Sequence, residues 1–306
     1  MNYSPIALFV YKRPEHTRRT IESLMRCPEF ADSPLYVFCD GAKTEQDKDK
    51  VMQTRQLVHY MVGKKSTIVE SPTNKGLADS IILGVTHLCD IYGRVIVVED
   101  DLVLSPVFLS FLNHALEKYQ DEPSVMQISG YMYPIPEFTN RTTSLFLPFT
   151  TSWGWGTWKR AWECFDPEIN GWEILETDLQ MQHKFNLDGT YNYFNMLKMQ
   201  IADQIDSWAI RWYWSIFKIN GYALFPPISY VSNVGLDGSG THGFLVARWF
   251  LKTKPNLKSS EVNSFPDIIT VRDYDYKLIK KFLRTMNNKF INILKKLKNI
   301  FLASKQ

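Results

Sequence analysis

The stretch R94-V-I-V-V-E99-D100-D101-L-V-L-S-P106 decides how this chain is read. Four apolar residues, three of them valine, run straight into three consecutive carboxylates. A short run rich in β-branched residues is a buried strand. Three like charges at its end repel one another unless a cation stands among them. Alternate side chains at a strand end point to opposite sides. Glu99 and Asp101 then face one way and Asp100 the other. A hard divalent cation, Mn2+ or Mg2+, takes such oxygens and needs only one or two carboxylates when phosphate oxygens complete its shell. The plainer alternative is a solvated turn, with one Asp capping a helix over Leu102–Tyr119.

The residues upstream favour the metal. Ile6–Tyr11, Leu35–Cys39 and Ser66–Glu70 read as three further strands. Between them lie helical stretches ending near Met25, spanning Glu45 to Met61, and spanning Leu77 to Cys89. This alternation predicts an α/β fold, with a mostly parallel central sheet flanked by helices. Such sheets bind ligands at the carboxyl ends of their strands. Arg13, Asp40, the segment Asn74-Lys75-Gly76 and the triplet Glu99-Asp100-Asp101 all fall at or just after expected strand ends. In one sheet they gather along one edge. Lys75 stands where a phosphate would meet a helix N-terminus, and it reads equally well as a surface lysine.

Other classes fit less well. The chain has 306 residues, 14% of them aromatic, enough for a large core and for rings on which sugars stack. Its four cysteines lie far apart, with no zinc or redox spacing, as expected of reduced thiols in a cytoplasmic protein. No apolar run is long enough for a membrane span. From Lys277 to Gln306 there are nine basic residues and no acid, while the rest of the chain is net acidic. That body argues against nucleic acid.

Six stretches in chain order resemble glycosyltransferases of the GT-A fold, in particular the N-acetylglucosaminyltransferase I group and its bacterial relatives. They are Val10-Tyr-Lys-Arg13, Phe38-Cys-Asp40-Gly, Val97-Val-Glu-Asp-Asp-Leu with its later Ser-Pro, Phe149 to Trp158, Ile205-Asp206-Ser207-Trp208, and Thr241-His242-Gly243. Ser129-Gly130-Tyr131 adds a looser match. The resemblance spans most of residues 4–245. It implies a nucleotide-sugar donor, a hydroxyl of a glycan or lipid-linked molecule as acceptor, and inversion in a single displacement.

 The resemblance implies a UDP-sugar as donor, with N-acetylglucosamine as the family's suggestion, and a setting in bacterial surface polysaccharide or lipopolysaccharide synthesis. The resemblance assigns the metal to Asp101. It assigns donor contacts to Arg13, Asp40, Lys75, Glu99, Asp100, His242 and a tryptophan platform at Trp153 or Trp155. It assigns the base that deprotonates the acceptor hydroxyl to Asp206. The family has a second acid where this chain has Ser207, so Asp203 is the alternative base, and a catalytically inactive relative or a carbohydrate-binding protein is the alternative function.

The expected boundaries are a transferase domain over 1–250, a linker over 251–276 and a helix over 277–306. In that last stretch Leu278, Ile279, Phe282, Leu283, Met286 and later apolar residues recur at helical spacing among lysines. A basic amphipathic helix suits an anionic membrane surface, which would hold the protein at the inner face of the cytoplasmic membrane. A helix packed on the body is the other reading.

Overall fold

The computed structural model describes residues 2–235 and 264–287. The first half alternates as the sequence predicts. Strand β1 (Ile6–Val10) leads to helix α1 (Pro14–Leu24), β2 (Leu35–Cys39) to α2 (Lys48–Val62), and β3 (Ser66–Glu70) to α3 (Leu77–Tyr92). Then come β4 (Arg94–Glu99), a short β5 (Leu102–Leu104) and α4 (Phe108–Lys118). The second half holds β6 (Val125–Ser129), β7 (Leu145–Leu147), β8 (Trp155–Trp158), α5 (Lys159–Trp162), α6 (Ile174–Thr177) and α7 (Leu179–Phe185). It continues with α8 (Tyr193–Ile201), α9 (Trp208–Lys218), β9 (Tyr222–Phe225) and β10 (Val231–Asn233). A last helix, α10, covers 273–287.

Eight strands form one sheet in the order β3-β2-β1-β4-β8-β6-β9-β7. β1 runs parallel to β2 and β4, and β2 to β3. β8 enters antiparallel between β4 and β6, and β7 is antiparallel to β9. The remaining strands share one direction, so the fold is the expected α/β class, with a mostly parallel central sheet flanked by helices. β1 is buried along its whole length, as a strand covered on both faces must be. Gly84 lets α3 approach that sheet closely. A Cβ there would stand 2.7 Å from the Phe9 ring and 3.1 Å from that of Phe38.

Leu102–Tyr119 is not one helix. Leu102 and Leu104 are buried and Val103 is half-buried, a period of two, and β5 pairs antiparallel with β10. Pro106 disfavours helical backbone at Ser105, and α4 begins only at Phe108. No Asp of the triplet caps it.

The tail also differs from expectation. Its helix starts at 273, and Ile279 and Leu283 are buried in a second core with Phe149, Phe185, Trp214 and Phe225. Asp275 pairs with Arg141 at 2.6 Å and Lys280 with Asp188 at 2.5 Å. Within the expected linker, Phe265 and Ile269 pack against the main core, and the Tyr119 hydroxyl donates to the Pro266 carbonyl at 2.5 Å. The apolar stripe of 273–287 therefore covers protein. Residues 288–306, the rest of the expected membrane helix, lie outside the described residues. Among the described residues no helix is long and apolar enough to cross a membrane.

Candidate active site

The acidic triplet closes the carboxyl end of β4, beside the carboxyl end of β1, where Phe9 is in register with Glu99. Asp100 is buried. The Tyr11 backbone N–H donates to its Oδ2 at 3.3 Å, and Arg13 donates to its Oδ1. Burial raises the Asp100 pKa, and Arg13 opposes the rise. The Thr20 hydroxyl donates to the Asp100 carbonyl at 2.9 Å, which fixes the turn. Arg13 also reaches Asp101, with Nη1 at 3.1 Å from Oδ2. The two carboxylates hold its guanidinium charged more firmly than burial alone would allow. Glu99 is pushed up to about 8, first by burial and then by the neighbouring charges of Asp101 and Asp100.

Asp101 offers what a cation needs. Its Oδ1 is buried with no hydrogen-bond partner, an arrangement that costs about 1–3 kcal/mol when left unmet. Among the described residues no cluster of three or more acidic, histidine or cysteine side chains is arranged to hold a metal alone. The protein supplies one carboxylate oxygen here. That fits a hard divalent cation that keeps waters and takes phosphate oxygens.

A segment the sequence reading overlooked lies against this pair. Val234 donates its N–H to the Asp101 carbonyl at 2.8 Å, directly after β10. A Cβ on Gly235 would stand 2.3 Å from Asp101 Oδ2 and 2.9 Å from Arg13 Nη1. Only glycine fits. The glycines at 235, 238 and 240 were the available signal. His242 lies outside the described residues.

Asp40 sits at the carboxyl end of β2, as expected, but both its oxygens are engaged within the protein. Oδ1 accepts from the backbone N–H groups of Gly41 and Lys75, each at 2.8 Å. Oδ2 accepts from Asn74 Nδ2 at 2.8 Å and the Gly76 N–H at 3.1 Å. Four donors fill the capacity of a carboxylate. The residue ties the loop after β2 to the loop before α3, where the donor contact implied by the resemblance would need a free oxygen. Arg55 reinforces the junction, donating to the carbonyls of Asp40 at 3.2 Å and Ser71 at 2.6 Å. Lys75 stays exposed at the entrance to α3.

Asp206 belongs to the same edge. It is exposed, and Arg211 Nη2 donates to its Oδ1 at 2.6 Å. Its Oδ2 lies 3.7 Å from where a Cβ on Gly76 would stand, so it overlooks the start of α3. The cap of α9 is Ser207, whose hydroxyl accepts from the Ile210 N–H at 3.4 Å. Asp206 is thus free of capping duty, and Ser207 is occupied by it. Asp203 is also exposed, on a backbone with φ +53.

The tryptophans divide. Trp153 keeps a water-facing surface and meets Tyr131 edge-on, ring centroids 4.6 Å apart. Trp155 is fully buried on β8 and stacks on Trp208 at 5.0 Å, so it is core and not a platform. Gly154 and Gly156 serve packing too. A Cβ on the first would stand 2.9 Å from the Phe108 ring, and on the second 3.1 Å from Leu116.

No protein-family model and no curated protein matches the chain. Several solved structures do. The chain is similar to a mannosyltransferase of Pyrobaculum calidifontis in complex with GDP-Man and Mn2+, at 14% identity and TM-score 0.36, over 51% of this chain and 44% of that one. It is similar to GalNAc-T7 with UDP, GalNAc and Mn2+, at 10% identity and TM-score 0.45, over 76% and 44%. It is also similar to the apo form of mouse xyloside xylosyltransferase 1, at 12% identity and TM-score 0.36, over 86% and 96%. The matched part spans less than half the length of the first two proteins.

Proposed function

We propose that the chain is an inverting, metal-dependent glycosyltransferase of the GT-A fold, moving a sugar from a nucleotide sugar to a hydroxyl acceptor. One observation carries this reading: the buried, unpartnered Oδ1 of Asp101 at a strand end, beside Glu99 and the Arg13 guanidinium. Asp101 would hold a divalent cation there, which would supply positive charge for a departing nucleoside diphosphate. Arg13 is poised to share that task, being a bidentate donor suited to phosphate. Lys75, exposed at the α3 entrance, adds a second cation on the same edge. Asp206 is the base. Arg211 orients one of its oxygens and leaves the other to take the acceptor proton.

The resemblance supports a UDP-sugar as donor, with N-acetylglucosamine as its sugar, and a glycan or lipid-linked acceptor in bacterial surface polysaccharide synthesis. A position at the inner face of the cytoplasmic membrane belongs to the same proposal. The lysines of 288–306 support it, since basic residues beside anionic lipid contribute about 1 kcal/mol each.

Thermal unfolding with a panel of nucleotides, with and without Mn2+, tests the reading. Specific binding raises stability by about 2.7 kcal/mol at a hundredfold excess over Kd. The expected result is a shift with UDP that requires metal and vanishes in Asp101→Ala. A shift retained in that variant overturns the metal assignment. A folded sample that no nucleotide stabilises overturns the transferase reading.

A further inference from the structure

An aromatic surface runs away from the candidate active site. Trp153 meets Tyr131 at 4.6 Å, Tyr131 meets Tyr133 at 5.3 Å, and Tyr133 meets Phe282 of α10 at 5.6 Å. A second row, Tyr191, Tyr193 and Tyr213, is spaced at 4.6 and 4.7 Å. Both rows pack on the same second core, Tyr133, Tyr193 and Phe282 against it and Tyr213 within it. Trp153, Tyr133, Tyr193 and Phe282 are half-buried, and Tyr191 is 38% exposed. These rings therefore still meet water, unlike Phe149 and Phe185 beneath them.

The hydroxyls are the unusual part. Tyr213 donates to the Phe185 carbonyl at 2.9 Å, as a core tyrosine does. Tyr131 is 3% exposed, and its hydroxyl is buried without a partner. The charged groups beside this surface, Asp188 and Lys280, are paired at 2.5 Å. What remains is a set of flat ring faces with hydroxyls that both donate and accept. Ring faces take the C–H face of a pyranose, and hydroxyls match its rim. A phosphate ligand would need a free charge here.

We propose that this surface is a binding site for an oligosaccharide acceptor, seating the sugar units behind the one that receives transfer. The proposal rests on the transferase reading for its biological sense, but its chemistry is independent of Asp101. Trp155 joins the two places: it stacks on Trp208, next to Asp206, and lies two residues from Trp153.

The test is binding of the full chain to a printed array of several hundred oligosaccharides, with and without UDP and Mn2+, for wild type, Tyr191→Ala and Tyr133→Phe. Wild type should bind a defined set of oligosaccharides longer than a disaccharide. Tyr191→Ala, which removes a ring that is 38% exposed, should weaken that binding about tenfold. Tyr133→Phe keeps the ring and the packing and should weaken it by a few-fold. Both variants should keep the wild-type melting temperature and the UDP-dependent shift. A wild type that binds no oligosaccharide, or two variants that bind like wild type, overturns the proposal. Oligosaccharide binding that depends on these tyrosines, in a protein that no nucleotide stabilises, would uphold this site while refuting the transferase reading.

Discussion

Replacing Asp40 with Asn separates two roles that the sequence alone leaves merged. In the structure one carboxylate accepts four hydrogen bonds, three from backbone N–H groups and one from Asn74. An asparagine offers one oxygen. However its amide turns, two of the four donors lose their acceptor and face an NH2 group instead. Hydrogen bonds to a charged group contribute about 1.5–3 kcal/mol each. The loop is half-buried, so water recovers part of the loss, and the lower end of that range applies. Asp40→Asn should cost about 3 kcal/mol. Equilibrium urea unfolding measures this as a lowered midpoint with an unchanged slope. A loss below about 0.5 kcal/mol would refute the argument that Asp40 ties the two loops. If stability held while UDP binding disappeared, the carboxylate would instead be reading the base directly.

Three further outcomes are expected. Glu99 has a pKa of about 8 in the folded chain against an ordinary 4.5, so the folded state keeps a proton that the unfolded state releases. Stability should fall as pH rises between those values. Glu99→Gln should remove that slope and melt higher than wild type near pH 8, and superimposable pH curves would refute the assignment. Gly235→Ala places a methyl group on Asp101 and Arg13 and should destabilise by about 1–3 kcal/mol in urea unfolding; an unchanged midpoint would mean that the segment after β10 does not close on the pair. Leu283→Ala should cost about 2–4 kcal/mol in the same assay, whereas a loss below about 0.5 kcal/mol would show that α10 does not pack on the body.

The first half of the fold was legible because β1, β2 and β4 are apolar runs and β3 a β-branched one, separated by helical spacing, and each is followed by the loop that carries a polar residue. The strand β8 was not. Trp155-Gly-Thr-Trp158 has two large rings and a glycine, a pattern that equally suits a ligand platform. Its place was set by partners distant in sequence, with Val97 and Ser129 on either side. Trp158 and Trp162 stand four apart, a spacing that suits the core face of one helix. Both are buried, but Trp158 lies on the strand and its indole N–H donates to the Leu116 carbonyl at 2.9 Å. Asp40 could be located but its bonds could not, because three of its donors lie across a crossover. The tail shows the same limit. An amphipathic stripe reads alike whether lipid or protein covers it, and only Ile279 and Leu283 in the second core decide for 273–287.

The ribbon of β5 and β10 has a consequence for biosynthesis. The backbone of Asp101 is bonded to Val234, and the pairing runs from Leu102 with Asn233 to Leu104 with Val231. The acidic corner is therefore finished by residues that leave the ribosome long after it does. A nascent chain carrying β1 to β4 has the triplet and Arg13 but not the backbone that encloses them. Contacts so distant along the chain form late, so the capacity to hold a cation should arise near the end of folding, after the sheet that presents it.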